Sequence, residues 1–202
     1  MLKNIVFDLG GVVVAHNAES FKEKLGDFFS FVFGPDMNCV PMFWQDYDRG
    51  VLTIDETAAE VAKYRNCTAE IAKSHMLYAV SLQEEVEPTV ELIKELKAKG
   101  YKLYVLSNMS KEYIEFLRQF PVFDSFDAQV VSSEVGLGKP DPKIYEYLLS
   151  HCELDPAETI FIDDRKDNVE VAEGLVIVPF HFDRENPEQS CEELRKVIYE
   201  QR

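Results

Sequence analysis

Basic residues are scarce in this sequence. Lysine and arginine together number 21 against 37 aspartate and glutamate residues, and the formal net charge is −16 at pH 7. A field of this sign repels nucleic acids and anionic membranes, so neither is expected as a partner. The same field would repel a phosphate-bearing substrate unless a local cation, most simply a metal ion with a lysine, offsets it. No feature of the sequence specifies an oligomeric state.

Long hydrophobic runs are also missing. No apolar run approaches the roughly 18 residues that a membrane-spanning helix needs. The short apolar run that begins at Ile5 is cut by Asp8, so the uninterrupted core of a signal peptide is not expected either. These features favour a cytoplasmic protein.

Cysteine and histidine are few and scattered. The four cysteines form no CxxC pair: Cys39, Cys67, Cys152 and Cys191. The four histidines do not cluster near them. A zinc site and a disulfide framework are therefore both poorly supported, and free thiols in a reducing cytosol are expected.

With 202 residues, 46% of them hydrophobic, the chain can bury one substantial core and a smaller appended module. Short apolar runs that end in small or acidic residues predict buried strands. Four such runs are Ile5–Phe7, Lys102–Leu106, Ala128–Val131 and Thr159–Ile162, and Leu175–Val178 predicts a fifth strand.

Helical periods lie between these strands. Pro88 stands at the favoured first-turn position of one helix, which Gly100 ends, and apolar residues from Ile144 to Leu149 mark another. Strands that alternate with helices predict an α/β fold with a doubly wound parallel sheet covered on both faces. Residues at the carboxyl ends of such strands line the ligand crevice. We therefore expect Asp8, Ser107 and the Asp163–Asp164 pair to meet there.

Residues 16–86 differ from the rest of the chain because they are rich in helical patterns and lack the alternation of strands with helices. A capping box occupies Thr53–Glu56, and an incomplete one occupies Thr68–Ile71. We interpret this segment as a small helical cap inserted over the crevice of a core formed by residues 1–15 and 87–202. The alternative is that these helices simply extend the core.

An aromatic stretch in this segment precedes Arg49 and Gly50. Its members are Phe43, Trp44 and Tyr47. Placed beside Arg49, they are expected to close over a substrate and exclude water.

The strand-end residues suit the chemistry of phosphate esters. An aspartate can attack phosphorus and so divide one difficult step into two. Magnesium prefers oxygen ligands, which the carboxylates of Asp8 and Asp164 and the Gly10 carbonyl can supply, with Asp163 holding a bound water. The charges of Asp8, Asp163 and Asp164 together with those of one Mg²⁺ and Lys139 sum to about zero. The site can therefore accept an anion.

Two further residues can hold a phosphoryl oxygen, and a third can fix the nucleophile. Ser107 offers a hydroxyl and Asn108 a backbone N–H, while Lys139 can offset phosphate charge and orient Asp8. Taken singly, these features are weak, since a strand that ends in Asp-x-Gly-Gly is common as a plain turn and Ser-Asn is common as a helix cap. An Asx turn also explains Asp163–Asp164. Gly136–Lys139 resembles part of a nucleotide P-loop, but Pro140 stands where that loop needs Ser or Thr, which excludes it.

In combination, the order of these segments resembles the four-motif pattern of the haloacid dehalogenase-like superfamily. The resemblance covers nearly the whole chain. Its segments are Phe7–Val12, Val105–Asn108, Lys139–Tyr145, and Phe161–Asp164 with Asn168, Val169 and Ala172. It implies a Rossmann-like core, a helical cap and a bound Mg²⁺.

The same resemblance assigns roles to individual residues. Asp8 becomes the nucleophile, Ser107 and Lys139 bind phosphate, and Asp164 becomes the direct metal ligand, with Asp163 and Asn168 in support. Arg49–Gly50 resembles the loop with which related caps face the substrate. A solvated surface arginine is the alternative for Arg49.

One position departs from the usual pattern. Most phosphatases of the superfamily carry a second aspartate two residues after the nucleophile, where it protonates the leaving group, and here that residue is Gly10. A subgroup that acts on anomeric sugar phosphates is similar in having glycine there. Losing a positioned acid costs on the order of 100- to 10,000-fold in rate, so activated esters are expected to be favoured. If another residue donates the proton, His16 is the first candidate.

The function expected is that of a magnesium-dependent phosphatase, which hydrolyses a small sugar phosphate or activated phosphate ester through an aspartyl-phosphate on Asp8. One alternative is a degenerate member that binds a phosphometabolite or a partner without efficient turnover. A dehalogenase needs no metal, so the acidic pair argues against it. A phosphorylatable receiver domain carries its acidic pair early in the chain, whereas Asp163–Asp164 comes last.

Overall fold

A parallel five-stranded sheet forms the centre of the protein in the computed structural model, which describes residues 1–33 and 40–200. Its strands are β1 (Asn4–Phe7), β4 (Lys102–Ser107), β5 (Ala128–Val131), β6 (Thr159–Asp163) and β7 (Val178–His181). They lie in the order β5-β4-β1-β6-β7. This arrangement confirms the predicted doubly wound α/β fold.

The central strand β1 pairs with a parallel neighbour on each side. Phe7 lies in register with Val105 of β4 and with Ile162 of β6. Because side chains alternate along a strand, Ile5 and Phe7 enter the apolar core on one face of the sheet, and Val6 enters the core on the other. A helix-covered parallel sheet needs such a strand, apolar on both faces.

Six α-helices in the part of the chain that the structure describes belong to the core. They are α6 (Glu87–Ala98), α7 (Lys111–Leu117), α8 (Ser132–Val135), α9 (Pro142–His151), α10 (Lys166–Gly174) and α11 (Pro187–Glu200). As predicted, Pro88 occupies the first turn of α6. Leu92, Ile93 and Leu96 of this helix are fully buried against the sheet, and each such burial stabilises the fold by about 1.5–3 kcal/mol.

Within its described residues, the inserted helical cap contains five helices and an apolar cluster of its own. The helices are α1 (Ala18–Leu25), α2 (Ser30–Phe33), α3 (Met42–Asp48), α4 (Ile54–Arg65) and α5 (Ala69–Ser81). Val61 of α4 and Met76 of α5 are buried in the cluster. The Thr53 side chain accepts a hydrogen bond from the Glu56 N–H in a complete capping box, whereas Thr68 caps α5 without a glutamate partner.

A two-stranded antiparallel ribbon joins the cap to the core. It consists of β2 (Val14–His16), where the chain enters the cap, and β3 (Gln83–Glu85), where the chain returns. The ribbon lies close to the predicted limits of the cap, 16 and 86, which stay a prediction.

The predicted fifth strand is displaced along the chain. We expected Leu175–Val178, but β7 is Val178–His181, and the preceding residues close the end of α10. The Ile177 N–H donates to the Ala172 carbonyl, and Val176 has a φ of 64°, so this apolar run turns instead of extending. The side chain of Ile177 is nevertheless buried, which explains its hydrophobicity.

The thiols and the helix lengths of the described residues bear on two expectations from the sequence. Cys67, Cys152 and Cys191 have free thiols, and Cys39 lies outside the described residues. Within 1–33 and 40–200, no helix combines the length and the apolar character that a membrane crossing requires.

Candidate active site

Three carboxylates converge where β1 and β6 end. Asp8 follows β1, Asp163 is the last residue of β6, and Asp164 comes next. Each offers an oxygen to a group whose atoms all lie within 4.8 Å of one another. The Asp8 N–H donates to the Ile162 carbonyl over 2.9 Å, so pairing of the two strands fixes this convergence. Three carboxylates this close form a donor set that suits a hard divalent cation such as Mg²⁺.

Lys139 lies between two of these carboxylates. Its Nζ is 2.9 Å from Oδ1 of Asp8 and 2.6 Å from Oδ2 of Asp163, and it also donates to the Leu106 carbonyl over 2.9 Å. Burial opposes a charge here, but the carboxylates of Asp163 and Asp8 outweigh it and raise the pKa of Lys139. The lysine is therefore a buried, charged link between Asp8 and the acidic pair.

The acidic pair is held in a state that favours cation binding. Burial raises the pKa of Asp163, and burial together with the neighbouring Asp163 charge raises that of Asp164. Asn168 orients Asp163 through hydrogen bonds from its Nδ2 to both carboxylate oxygens, each 3.0 Å long. Because a divalent cation would offset both burial and repulsion, the residues present fit Mg²⁺.

Ser107 ends β4 beside this group. It is 1% exposed, and its Oγ has no hydrogen-bond partner among the described residues. A buried hydroxyl costs free energy unless it is hydrogen-bonded. The role of Ser107 as a phosphate ligand stays a prediction.

The side chain of Asn108, predicted to bind substrate, has a different partner. It donates to the Lys139 carbonyl and accepts from the Lys139 N–H, both over 2.8 Å. This two-bond clasp positions Lys139, so only the backbone N–H of Asn108 stays a predicted phosphate ligand.

The two glycines after Asp8 have different constraints. A Cβ at Gly10 would meet nothing within 4 Å, and Gly10 lies outside the left-handed region. Gly11 has a φ of +77°, and a Cβ there would lie 2.8 Å from Oδ2 of Asp164. The turn therefore needs glycine at 11, where the backbone approaches the Asp164 carboxylate, and has room for a side chain at 10.

The loop after α3 presses the cap onto the core. A Cβ at Gly50 would lie 2.5 Å from the Ser133 carbonyl oxygen, and one at Gly138 would lie 3.4 Å from Cγ of Arg49. Arg49 thus lies across the glycine that precedes Lys139, while its Nη2 pairs with Asp46 over 2.6 Å. The structure brings this predicted substrate-binding residue to the edge of the site.

The predicted role of the cap aromatics is wrong for Trp44 and Tyr47. They are 3% and 2% exposed and pack with Phe29 in the apolar cluster of the cap. Phe43 packs against Phe31 and Tyr64. A small helical module must bury its own aromatic side chains to be stable, and this need accounts for the stretch.

Two charged residues described below were not identified from the sequence. Arg184 follows β7, and its Nη1 lies 3.2 Å from Oδ2 of Asp164. A correctly bounded β7 would have indicated it, since it lies beyond the same edge of the sheet. The second residue, Asp48, ends α3 at the contact between cap and core, and no local sequence pattern marks it.

The comparison with known families decides the identity of this architecture. The haloacid dehalogenase-like hydrolase family matches residues 2–175. The chain belongs to this family.

Two curated relatives of the haloacid dehalogenase-like protein are phosphatases. A sesquiterpene phosphatase of Aspergillus oryzae is 27% identical over 97% of this chain and 96% of its own length. A D-ribitol-5-phosphate phosphatase of Bacteroides thetaiotaomicron is 29% identical over 87% of this chain and 89% of its own length. The protein is accordingly a hydrolase that acts on phosphate esters.

Solved structures agree with this fold. An enzyme of the family from Bacteroides thetaiotaomicron, solved with magnesium and inorganic phosphate, has a TM-score of 0.72 and 24% identity, over 91% of this chain and 96% of its own. It shares the fold.

Proposed function

We propose that the protein is a magnesium-dependent phosphatase that hydrolyses a small phosphate ester through an aspartyl-phosphate on Asp8. The observation that carries this proposal is the cluster of Asp8, Asp163 and Asp164, with the buried ammonium of Lys139 within 2.9 Å of Asp8 and 2.6 Å of Asp163. A nucleophile, a cation site and a fixed positive charge are the parts that phosphoryl transfer requires.

Each residue has a defined task in this reaction. A carboxylate oxygen of Asp8 attacks phosphorus as the bond from phosphorus to the leaving oxygen breaks. Lys139 holds Asp8 in place and offsets phosphoryl charge, while the Ser107 hydroxyl and the Asn108 N–H donate to phosphoryl oxygens. Water then attacks phosphorus, releasing phosphate and restoring the Asp8 carboxylate.

The metal site is assigned to four residues. Asp8, Asp164 and the Gly10 carbonyl would hold Mg²⁺ directly, and Asp163 would hold one of its waters. Bound there, Mg²⁺ supplies charge neutralisation at the phosphoryl oxygens.

The proposed substrates are sugar phosphates or activated phosphate esters. Support comes from Gly10, the residue shared with the anomeric sugar phosphatase subgroup that the motifs resemble, and from the ribitol-5-phosphate phosphatase relative. Arg49 lies at the edge of the site, where it would face the substrate. A non-catalytic phosphometabolite-binding protein is the alternative, and the assay below separates the two functions.

The test is phosphate release from sugar phosphates, nucleotides, and aryl and acyl phosphates, with and without Mg²⁺. Asp8→Asn is expected to lose more than about 99% of the activity while keeping the fold, because the amide is nearly isosteric and a poor nucleophile. Beryllofluoride should bind the wild type and not this variant. Asp124→Asn, which changes an exposed aspartate of the core, is the matched control. Turnover by Asp8→Asn, or full activity with excess chelator, would contradict the proposal.

A further inference from the structure

The side chain of Arg49 extends from the cap to the loop that carries Lys139. A Cβ at Gly138 would lie 3.4 Å from Cγ and 3.6 Å from Cδ of Arg49. The same position lies 3.4 Å from Oδ1 of Asn108, the atom that accepts the Lys139 N–H. Since Nζ of Lys139 lies 2.9 Å from Oδ1 of Asp8, the stem of Arg49 packs one residue away from a lysine that contacts the proposed nucleophile. A cap side chain thus reaches the rim of the active site.

The guanidinium of Arg49 is held by its own helix. Its Nη2 lies 2.6 Å from Oδ1 of Asp46, one turn earlier in α3, and 3.9 Å from the sulfur of Met42. The backbone of Asp46 is fixed as well, because its carbonyl accepts the Val51 N–H over 2.8 Å. The side chains of Arg49 and Asp46 are 36% and 27% exposed, and ion pairs this exposed add little to folding stability. The main consequence of the pair is therefore the orientation of the guanidinium.

One donor of this guanidinium is left without an acceptor. The Nε of Arg49 is buried and has no hydrogen-bond partner in the part of the chain that the structure describes. The planar fork of an arginine offers several donors, yet Asp46 accepts from Nη2 and leaves Nε open. An arginine that only fastened the cap would donate to the core, whereas the hydrogen bonds of Arg49 to described residues go to Met42 and Asp46. Because a buried donor without an acceptor costs free energy, the open Nε–H indicates that Arg49 donates to a ligand.

The part of the substrate that this donor can meet is the leaving group. In the proposed reaction Mg²⁺, Lys139 and Ser107 serve the oxygens of the phosphoryl group, so the cap residue Arg49 is left for the part of the ester beyond phosphorus. An N–H donor pairs with a hydroxyl or ring oxygen and finds no acceptor in a hydrocarbon.

We propose that Arg49 recognises the leaving group through its Nε–H, that Asp46 positions Arg49 for this contact, and that the enzyme thereby selects esters of sugars and polyols. This inference rests on the proposed phosphatase function. A leaving group with no oxygen beyond the ester bond leaves the buried Nε–H unpaired and is bound less tightly.

The test compares KM for two polyol esters, D-ribitol 5-phosphate and α-D-glucose 1-phosphate, with KM for phenyl phosphate, whose leaving group has no further oxygen. Wild type should have a lower KM for at least one polyol ester. Arg49→Lys keeps a positive charge beside Asp46 but has no Nε–H, so we expect KM for that ester to rise about tenfold or more, with kcat changed less than about threefold. KM for phenyl phosphate should change less than about threefold. Arg65→Lys, the same change in a cap arginine that pairs with Asp27 over 2.9 Å, is the matched control.

A second variant, Asp46→Asn, tests the positioning role. It keeps Arg49 but weakens the orientation of its guanidinium, so KM for the preferred polyol ester should rise about three- to tenfold while KM for phenyl phosphate stays unchanged. In the Arg49→Lys background the same substitution should raise KM less than about twofold, because the donor that Asp46 positions is already gone. A folding defect would act on all three esters and in both backgrounds.

Three outcomes would overturn the inference. They are equal KM values of the wild type for all three esters, a rise in KM for Arg49→Lys that is absent or equal on all three, and an equal effect of Asp46→Asn in both backgrounds. Failure of the proposed function is different, since the wild type with Mg²⁺ would then hydrolyse none of the three esters.

Discussion

Arg184 places Nη1 of its guanidinium 3.2 Å from Oδ2 of Asp164, the carboxylate proposed to bind Mg²⁺ directly. The ion pair spans the end of β6 and the loop after β7. Arg184 also approaches the turn after Asp8, since its Cδ lies 3.4 Å from the position of a Cβ at Gly11. A cation therefore already stands beside the proposed metal site, and its charge opposes that of a metal ion.

Removing this charge should tighten magnesium binding. We expect Arg184→Gln to lower the dissociation constant for Mg²⁺ by about two- to tenfold, a modest effect because the arginine side chain is 44% exposed and screened by solvent. Isothermal titration with Mg²⁺ measures this without substrate. Asp164→Asn, titrated in parallel, should weaken binding by more than about tenfold. Weaker binding by Arg184→Gln would mean that the arginine holds Asp164 in its ligand position.

Lys139 should be as important for stability as for turnover. Replacing it with methionine leaves the buried carboxylates of Asp8 and Asp163 without their shared counter-charge. Removing one partner of a buried ion pair costs about 3–5 kcal/mol, and we expect Lys139→Met to lower the free energy of unfolding by this amount in the absence of Mg²⁺.

Urea unfolding at pH 7 measures the effect. Lys143→Met, on an exposed position of α9, is the control and should change stability by less than about 0.5 kcal/mol. Added Mg²⁺ should restore part of the loss in the Lys139 variant, because the ion neutralises the same carboxylates. A loss no larger than that of the control would mean that the two carboxylates relax into solvent.

The fold and the residues at the strand ends could be predicted because both depend on short-range patterns. An apolar run that stops at Asp8 or Asp163 indicates where a parallel strand ends and which side chain lies in the crevice. The prediction of a strand at Leu175–Val178 was wrong because Ile177, a buried residue that closes a helix, is as hydrophobic as a residue in a strand.

Contacts between cap and core could not be predicted in this way. Asp48 meets Ser132, and Gly50 meets Ser133, only after the chain has left the sheet, formed the cap and returned through β3. No periodicity connects residues so far apart, and the aromatic stretch beside them attracted a functional interpretation that burial contradicts. The position of Arg49 over Gly138 likewise depends on the closed arrangement of both modules.

Gly50 tests whether closure of the cap matters for catalysis. It has a φ of +69°, and a Cβ there would lie 2.5 Å from the Ser133 carbonyl oxygen. Gly50→Ala should therefore lift the loop that carries Asp48 and Arg49, and we expect kcat/KM for sugar phosphates to fall by about tenfold or more, since small displacements of positioning groups are costly.

Gly26→Ala is the matched control for steady-state kinetics of this variant. Gly26 also lies in the cap and has a φ of +53°, but a Cβ there would meet nothing within 4 Å. Both glycines have a positive φ, so both changes strain the backbone, and only Gly50→Ala disturbs the contact with the core. Equal kinetics in the two variants would show that this contact does not govern activity.

Asp48 should make the stability of the protein depend on pH in a direction opposite to that of most carboxylates. Burial raises its pKa from 3.8 to about 7, so between these pH values the folded chain holds a proton that the unfolded chain has lost. The stability from this group is therefore complete below about pH 4 and is lost as the pH rises through 7. His16 acts oppositely, because its pKa is lowered to about 4 and its contribution is lost as the pH falls from 6.5.

Comparing Asp48→Asn with wild type cancels the contribution of His16 to the pH dependence, since both proteins contain this histidine. The variant should become more stable relative to wild type as the pH rises from 4.5 to 8, by about 1–4 kcal/mol, the upper figure being the full shift converted at 1.36 kcal/mol per pKa unit. Denaturant unfolding at several pH values without Mg²⁺ measures the difference, and Asp55→Asn is the matched control. Parallel stability curves for wild type and Asp48→Asn would mean that Asp48 titrates as an ordinary surface carboxylate.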